Sequence, residues 1–123
     1  MKKTIALASA AALASTGLAG AAAAAPSATP VSTVTITASP NGLKYVKTQL
    51  KAKAGKIKLV FVNPSPLQHN VRLEQGETEF AGTTTIGKGT TSVIVTLKAG
   101  KYHFYCSVPG HEAAGMQGYL TVS

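Results

Sequence analysis

Hydrophobic and polar residues alternate with a period of two along most of this chain. Val34, Ile36 and Ala38 alternate with threonine and serine as far as Ser39-Pro40-Asn41-Gly42, a turn sequence. Leu50, Ala52 and Ala54 alternate with Gln49, Lys51 and Lys53 up to Gly55. Ile57, Leu59 and Phe61 share one face of a further strand, which stops at Asn63-Pro64-Ser65-Pro66. His69, Val71 and Leu73 then share a parity, so a histidine is expected on the same face as two core residues. The stretch from Gln75 to Gly89 is polar and rich in Gly and Thr, and reads as loop with one short edge strand. Val93, Val95 and Leu97 make a strand, and Ala99-Gly100-Lys101 turns the chain into the next. There Tyr102, Phe104 and Cys106 point one way, His103 and Tyr105 the other. Leu120 and Val122, alternating with Tyr119 and Thr121, close the chain.

No window after residue 25 carries a helical stripe. Seven or eight short strands with turn residues between them predict an all-β fold, a Greek-key β-sandwich or barrel of one domain. The first 25 residues break the pattern. Lys2 and Lys3, an Ala/Leu-rich run from Ile5 to about Gly20, and a small-residue tract ending at Pro26 have the three-part plan of a secretory signal cleaved before Pro26. Ser9, Ser15, Thr16, Gly17 and Gly20 make that run a poor span, so no stable membrane span is expected after cleavage. The domain is expected over 26–123, with 26–31 as a flexible Pro/Ser/Ala/Thr leader. Cleavage leaves 98 of the 123 residues, which bury roughly 65% of their unfolded surface. The expectation is a monomer, periplasmic or extracellular, with the membrane surface as one place of action.

Without Lys2 and Lys3 the formal net charge falls from +8 to +6. The nine remaining lysines are scattered, with no arginine cluster and little aromatic interleaving, which speaks against nucleic-acid binding. A solvated basic face is the plain reading, and a preference for acidic partners or an anionic membrane surface the sharper one. Cys106 is the only cysteine, so no disulfide forms within one chain. In an exported protein a lone thiol is an oxidation liability unless something occupies it.

Candidate chemistry gathers between Tyr102 and Val122. His111 follows Cys106 by five residues, and Met116 follows His111 by five. Thiolate, imidazole and thioether form a soft-to-borderline ligand set that both copper oxidation states can use. The second imidazole is His69, 37 residues before Cys106 and just after a Pro-rich turn. Two imidazoles and a thiolate in a plane with a weak axial thioether make the blue-copper electron-transfer arrangement. Taken singly, Cys106 reads as an inert buried cysteine, His69 as an ordinary polar residue and Met116 as core filler. Their combination argues for ligation. Gln117 and His103 have outward parity, and His103 reads as a surface residue. Tyr105 reads equally as a surface aromatic or as part of an electron route beside Cys106.

Val60-Phe61-Val62-Asn63 with His69-Asn70-Val71, Gly100-Lys101-Tyr102 with Phe104-Tyr105-Cys106, and Pro109-Gly110-His111 with Gly115-Met116 and Gly118 resemble the plastocyanin/azurin family of cupredoxins. The resemblance covers nearly the whole expected domain. It implies one copper ion, with His69, Cys106 and His111 as equatorial ligands and Met116 as the axial one. Asn70 resembles the family residue whose side chain ties the two ligand loops together, and Ser107 is expected beside it. Four residues separate Cys106 from His111 and four separate His111 from Met116. Plastocyanin has two in the first gap; the longer loop is closer to azurin and, in both gaps, to rusticyanin. Leu67, Pro109 and Gly110 are expected to form an uncharged docking patch around His111. The implied function is one-electron transfer between redox partner proteins, with no catalysis of its own. Copper sequestration or delivery is the alternative, disfavoured by a single methionine after Met1. An enzyme would need a second copper site, and no histidine cluster remains beyond His103.

Overall fold

The computed structural model describes residues 32–123; the expected signal at 1–25 and leader at 26–31 lie outside the described residues. Among these, eight strands and no helix are found: β1 (Ser32–Thr37), β2 (Gln49–Ala52), β3 (Gly55–Asn63), β4 (Arg72–Gln75), β5 (Thr78–Gly82), β6 (Gly89–Leu97), β7 (Gly100–Tyr105) and β8 (Gln117–Val122). They form a five-stranded sheet in the order β2-β8-β7-β4-β5 and a three-stranded sheet in the order β1-β3-β6. Each sheet holds one parallel pair, β1 with β3 and β2 with β8, and the other pairings are antiparallel. The fold is the all-β two-sheet sandwich that the alternation predicts.

The alternation also decides which face each strand buries. Val34 and Ile36 of β1, Ile57, Leu59 and Phe61 of β3, Leu73 of β4, Phe104 of β7, and Leu120 and Val122 of β8 are all buried. Thr33, Thr35, Lys56 and Lys58 on the same strands face solvent. Each large side chain so buried contributes about 1.5–3 kcal/mol, and a register slip of one residue would expose the whole set. The segment 75–89 contributes β5, the short edge strand expected of it, and β4 carries a bulge between Leu73 and Glu74 against it. In β6, an outer strand of its sheet, the inward Val93 and Val95 are half-buried.

Register places the functional end. Asn63, the last residue of β3, lies opposite Gly89, and Tyr105, the last of β7, lies opposite Gln117. The chain after β3, the chain before β6 and the loop between β7 and β8 are joined to one another at this end by the hydrogen bonds described next.

Candidate metal centre

Cys106 stands one residue beyond β7, where its side chain continues the inward row of Tyr102 and Phe104. The loop that follows closes on itself. Cys106 N–H donates to Met116 C=O (3.1 Å), Met116 N–H to His111 C=O (3.0 Å), and His111 N–H to Val108 C=O (3.0 Å). Closing it requires backbone that side chains with a Cβ rarely adopt, and Gly110 (φ 84°) and Gly115 (φ 114°) supply it. His69 comes from a separate segment. Its N–H donates to Ile86 C=O (3.0 Å) and its C=O accepts from Ile86 N–H (2.9 Å). Asn63 braces the Ile86 side of this bridge and the turn before His69. Its Nδ2 donates to Ile86 C=O (2.6 Å) and to Leu67 C=O (2.9 Å), while its Oδ1 accepts Ser65 N–H (2.9 Å) in a side-chain-closed turn.

These two frames bring three ligand-type atoms together. His69 Nδ1 and His111 Nδ1 are 3.1 Å apart, and Cys106 Sγ is 4.0 Å from the first and 3.6 Å from the second. Among the described residues this is the one group of three or more His, Cys, Asp or Glu whose ligand atoms all lie within 4.8 Å of one another. His69, Cys106 and Met116 are 0% exposed, and His111 is half-buried at the rim. Burial, and then the neighbouring His111, hold the His69 pKa below the ordinary histidine value. A neutral imidazole keeps a lone pair on one nitrogen. His69 Nε2 is buried without a hydrogen-bond partner, while Nδ1 faces His111 Nδ1 and Cys106 Sγ. Two imidazoles, a thiol and a thioether-bearing residue, all but His111 fully buried, are a donor set that fits copper.

Around this group, Asn70 binds one ligand-bearing segment to the other. Its Nδ2 donates to Ser107 Oγ (2.8 Å) and Thr85 Oγ1 (2.9 Å), and its Oδ1 accepts Ser107 N–H (2.9 Å). The asparagine and serine expected beside the ligands are thus joined. Tyr45, Asn63, Thr85 and Ile86 are framing residues that sequence reasoning missed. Only Asn63 carried a local signal, the Asn-Pro-Ser-Pro turn; the others meet the site through contacts 15 or more residues away.

Toward solvent, Leu67 is 50% exposed and Pro109 and Gly110 are exposed, the uncharged residues expected near His111. Gln117 points outward as its parity predicts. His103, read from its parity as an outward surface residue, is half-buried and bonded on both ring nitrogens. β4 and β8 flank β7 and bring Glu74 Oε2 to its Nδ1 (2.8 Å) and Gln117 Oε1 to its Nε2 (2.8 Å). Tyr105 stacks on the His103 ring at 5.5 Å and 12°. Burial, and then Glu79 and Glu74, raise its phenol pKa.

A two-sheet β-sandwich that brings one imidazole from a separate segment to the imidazole and thiol of a loop closed by a methionine is the frame of a blue copper protein. Residues 32–123 match the copper binding proteins of the plastocyanin/azurin family, and the chain belongs to that family, whose cofactor is a single copper ion. Auracyanin-B of Chloroflexus aurantiacus is 30% identical over 126 aligned residues, covering 77% of this chain and 54% of that protein. The chain therefore spans about half the length of that relative. Dithionite-reduced auracyanin from the photosynthetic bacterium Roseiflexus castenholzii superposes with a TM-score of 0.71 at 26% identity, over 75% of this chain and 97% of that one. Rusticyanin from Thiobacillus ferrooxidans shares the fold, with a TM-score of 0.64 at 20% identity over 78% and 79%.

Proposed function

We propose that this protein is an exported one-electron carrier holding a single copper on His69, Cys106, His111 and Met116. The observation that carries this reading is the convergence of His69 Nδ1, His111 Nδ1 and Cys106 Sγ within 4.8 Å. They lie in a frame whose backbone hydrogen bonds are made by the protein alone. Such a frame supports fast transfer because the ligands need little rearrangement between oxidation states. The bound copper supplies the Cu(II)/Cu(I) couple. The chain's residues keep both rings oriented, exclude water from the thiol and the buried thioether, and leave the His111 edge at the surface. A donor or acceptor protein docks there on Leu67, Pro109 and Gly110, and Tyr105, beside Cys106, offers a second electron route. Family membership and a relative studied in its reduced form support redox rather than catalytic chemistry.

Residues 1–25 act as the export signal and 26–123 form the working domain, placing a monomeric carrier in the periplasm or outside the cell, free or at the membrane surface. Among the described residues no helix is long and apolar enough to cross a membrane. All four glutamates lie on the β4–β5 hairpin and at Glu112, so an acidic partner would meet the lysine-bearing remainder.

The test is a visible spectrum with cyclic voltammetry on copper-loaded protein. We expect an intense thiolate charge-transfer band, lost in Cys106→Ala, and a reversible one-electron wave. A colourless copper protein, or a Cys106→Ala variant that keeps the band, refutes the assignment. Ready surrender of copper to a mild chelator with no reversible wave would instead indicate delivery.

A further inference from the structure

We propose that Tyr45 is a positioning residue of the copper site: its phenol O–H, donated to the Asn70 carbonyl, sets the frame that holds Cys106 and Ser107 against His69. The inference rests on the copper reading above. Tyr45 belongs to neither ligand-bearing segment; it lies in the loop between β1 and β2, yet is only 2% exposed. Its backbone is fixed to the end of β1 by the bridge to Ala38, with Val46 N–H donating to Thr37 C=O at 2.8 Å.

The core aims its ring. Phe61 of β3 meets it edge-on at 6.3 Å and 85°, and Phe104 of β7 meets it at 5.3 Å and 58°. One aromatic from each sheet therefore fixes the phenol direction, in arrangements that aromatic pairs favour. The hydroxyl then reaches Asn70 C=O at 2.6 Å. Asn70 is the chain neighbour of His69 and, through its side chain, the partner of both Ser107 N–H and Ser107 Oγ. A displaced Asn70 carbonyl moves His69 through one peptide unit and Cys106 through the Ser107 bonds. Burial, and then the charge at Cys106, push the Tyr45 pKa upward.

Tyr102 provides a matched control. It is equally buried at 2%, and its hydroxyl donates to Lys98 C=O at 2.8 Å. That bond lies at the other end of β7, where Gly100 pairs with Val122. The experiment compares copper-loaded wild type, Tyr45→Phe and Tyr102→Phe by visible absorption, electron paramagnetic resonance, voltammetry and copper release to a chelator. Thermal unfolding of the metal-free forms is run alongside. We expect both variants to lose stability, but only Tyr45→Phe to shift the charge-transfer band and the reduction potential and to release copper faster. A Tyr45→Phe protein with wild-type band and potential, or a Tyr102→Phe protein that shifts equally, overturns the assignment. If Tyr45→Phe does not fold, 3-fluorotyrosine placed at 45 or at 102 keeps each hydroxyl but alters its donor strength, and the same split must appear. A wild-type protein without the band sinks the copper reading itself, a failure distinct from equal behaviour of the two variants.

Discussion

Asn70→Ala removes the bond set between the two segments that carry His69 and Cys106. The side chain is 3% exposed and makes three hydrogen bonds, two from Nδ2 and one to Oδ1. A neutral hydrogen bond contributes about 0.5–1.5 kcal/mol net, so three give roughly 1.5–4.5 kcal/mol. Thr85 and Ser107 are exposed and take water once their partner is gone. That places the expected loss in the lower half of the range, about 1.5–3 kcal/mol. At about 4–8 °C per kcal/mol for a domain of this size, the midpoint should fall by roughly 6–24 °C. The measurement is urea and thermal unfolding of metal-free protein, because bound copper would add its own binding energy to the folded state. Ser107→Ala and the double variant complete a cycle whose coupling energy should be about 0.5–1.5 kcal/mol. A loss below about 0.5 kcal/mol for Asn70→Ala, or strict additivity with Ser107→Ala, would refute the idea that this residue joins the two segments.

Asn63→Ala takes the side-chain donor from the Leu67 carbonyl and leaves the Ile86 carbonyl with His69 N–H alone, and should cost about 1–3 kcal/mol, read from the urea midpoint. Met116→Leu keeps apolar volume at a fully buried position, so metal-free stability should change by less than about 1.5 kcal/mol. The copper protein should keep its colour while its reduction potential rises, because Cu(II) loses an axial donor; an unmoved potential counts against axial ligation. Because the folded His69 pKa lies below its unfolded value, the unfolded chain binds more protons. Metal-free stability is therefore full above about pH 6.5 and declines as pH falls below it. Denaturant midpoints at pH 7.5 and 5 test this, and a midpoint that rises on acidification contradicts it.

Much of the fold was legible because strand burial is a local, period-two property. Val34 and Ile36, Ile57 to Phe61, Tyr102 to Cys106, and Leu120 with Val122 all bury the side that their alternation assigns. The pattern in β6 was equally clear, yet Val93 and Val95 are only half-buried, and nothing in their own window distinguishes them from the buried Val34 and Ile36 of β1. The parallel pairing of β1 with β3 and of β2 with β8 was likewise invisible, because it joins segments whose local patterns are indistinguishable from other strands. His103 shows the same limit at one residue. Its parity marks it outward, and only the neighbours supplied by β4 and β8 turn it into a bonded, half-buried group.

The sequence by itself determined the chemistry of this protein. One thiol, two histidines and one methionine, spaced along turns between alternating segments, restrict the site to a soft ligand set whose donor types no packing can change. Tertiary structure alone decided how that set is held. The 3.1 Å approach of His69 and His111, the Asn63 brace on Ile86, the Asn70 link to Ser107 and the Tyr45 phenol behind it are contacts between distant segments. Their geometry depends on how two sheets stack and which rings fill the space between them. Local alternation carries no information about that, because it specifies the buried side of a strand but not the neighbour that covers it.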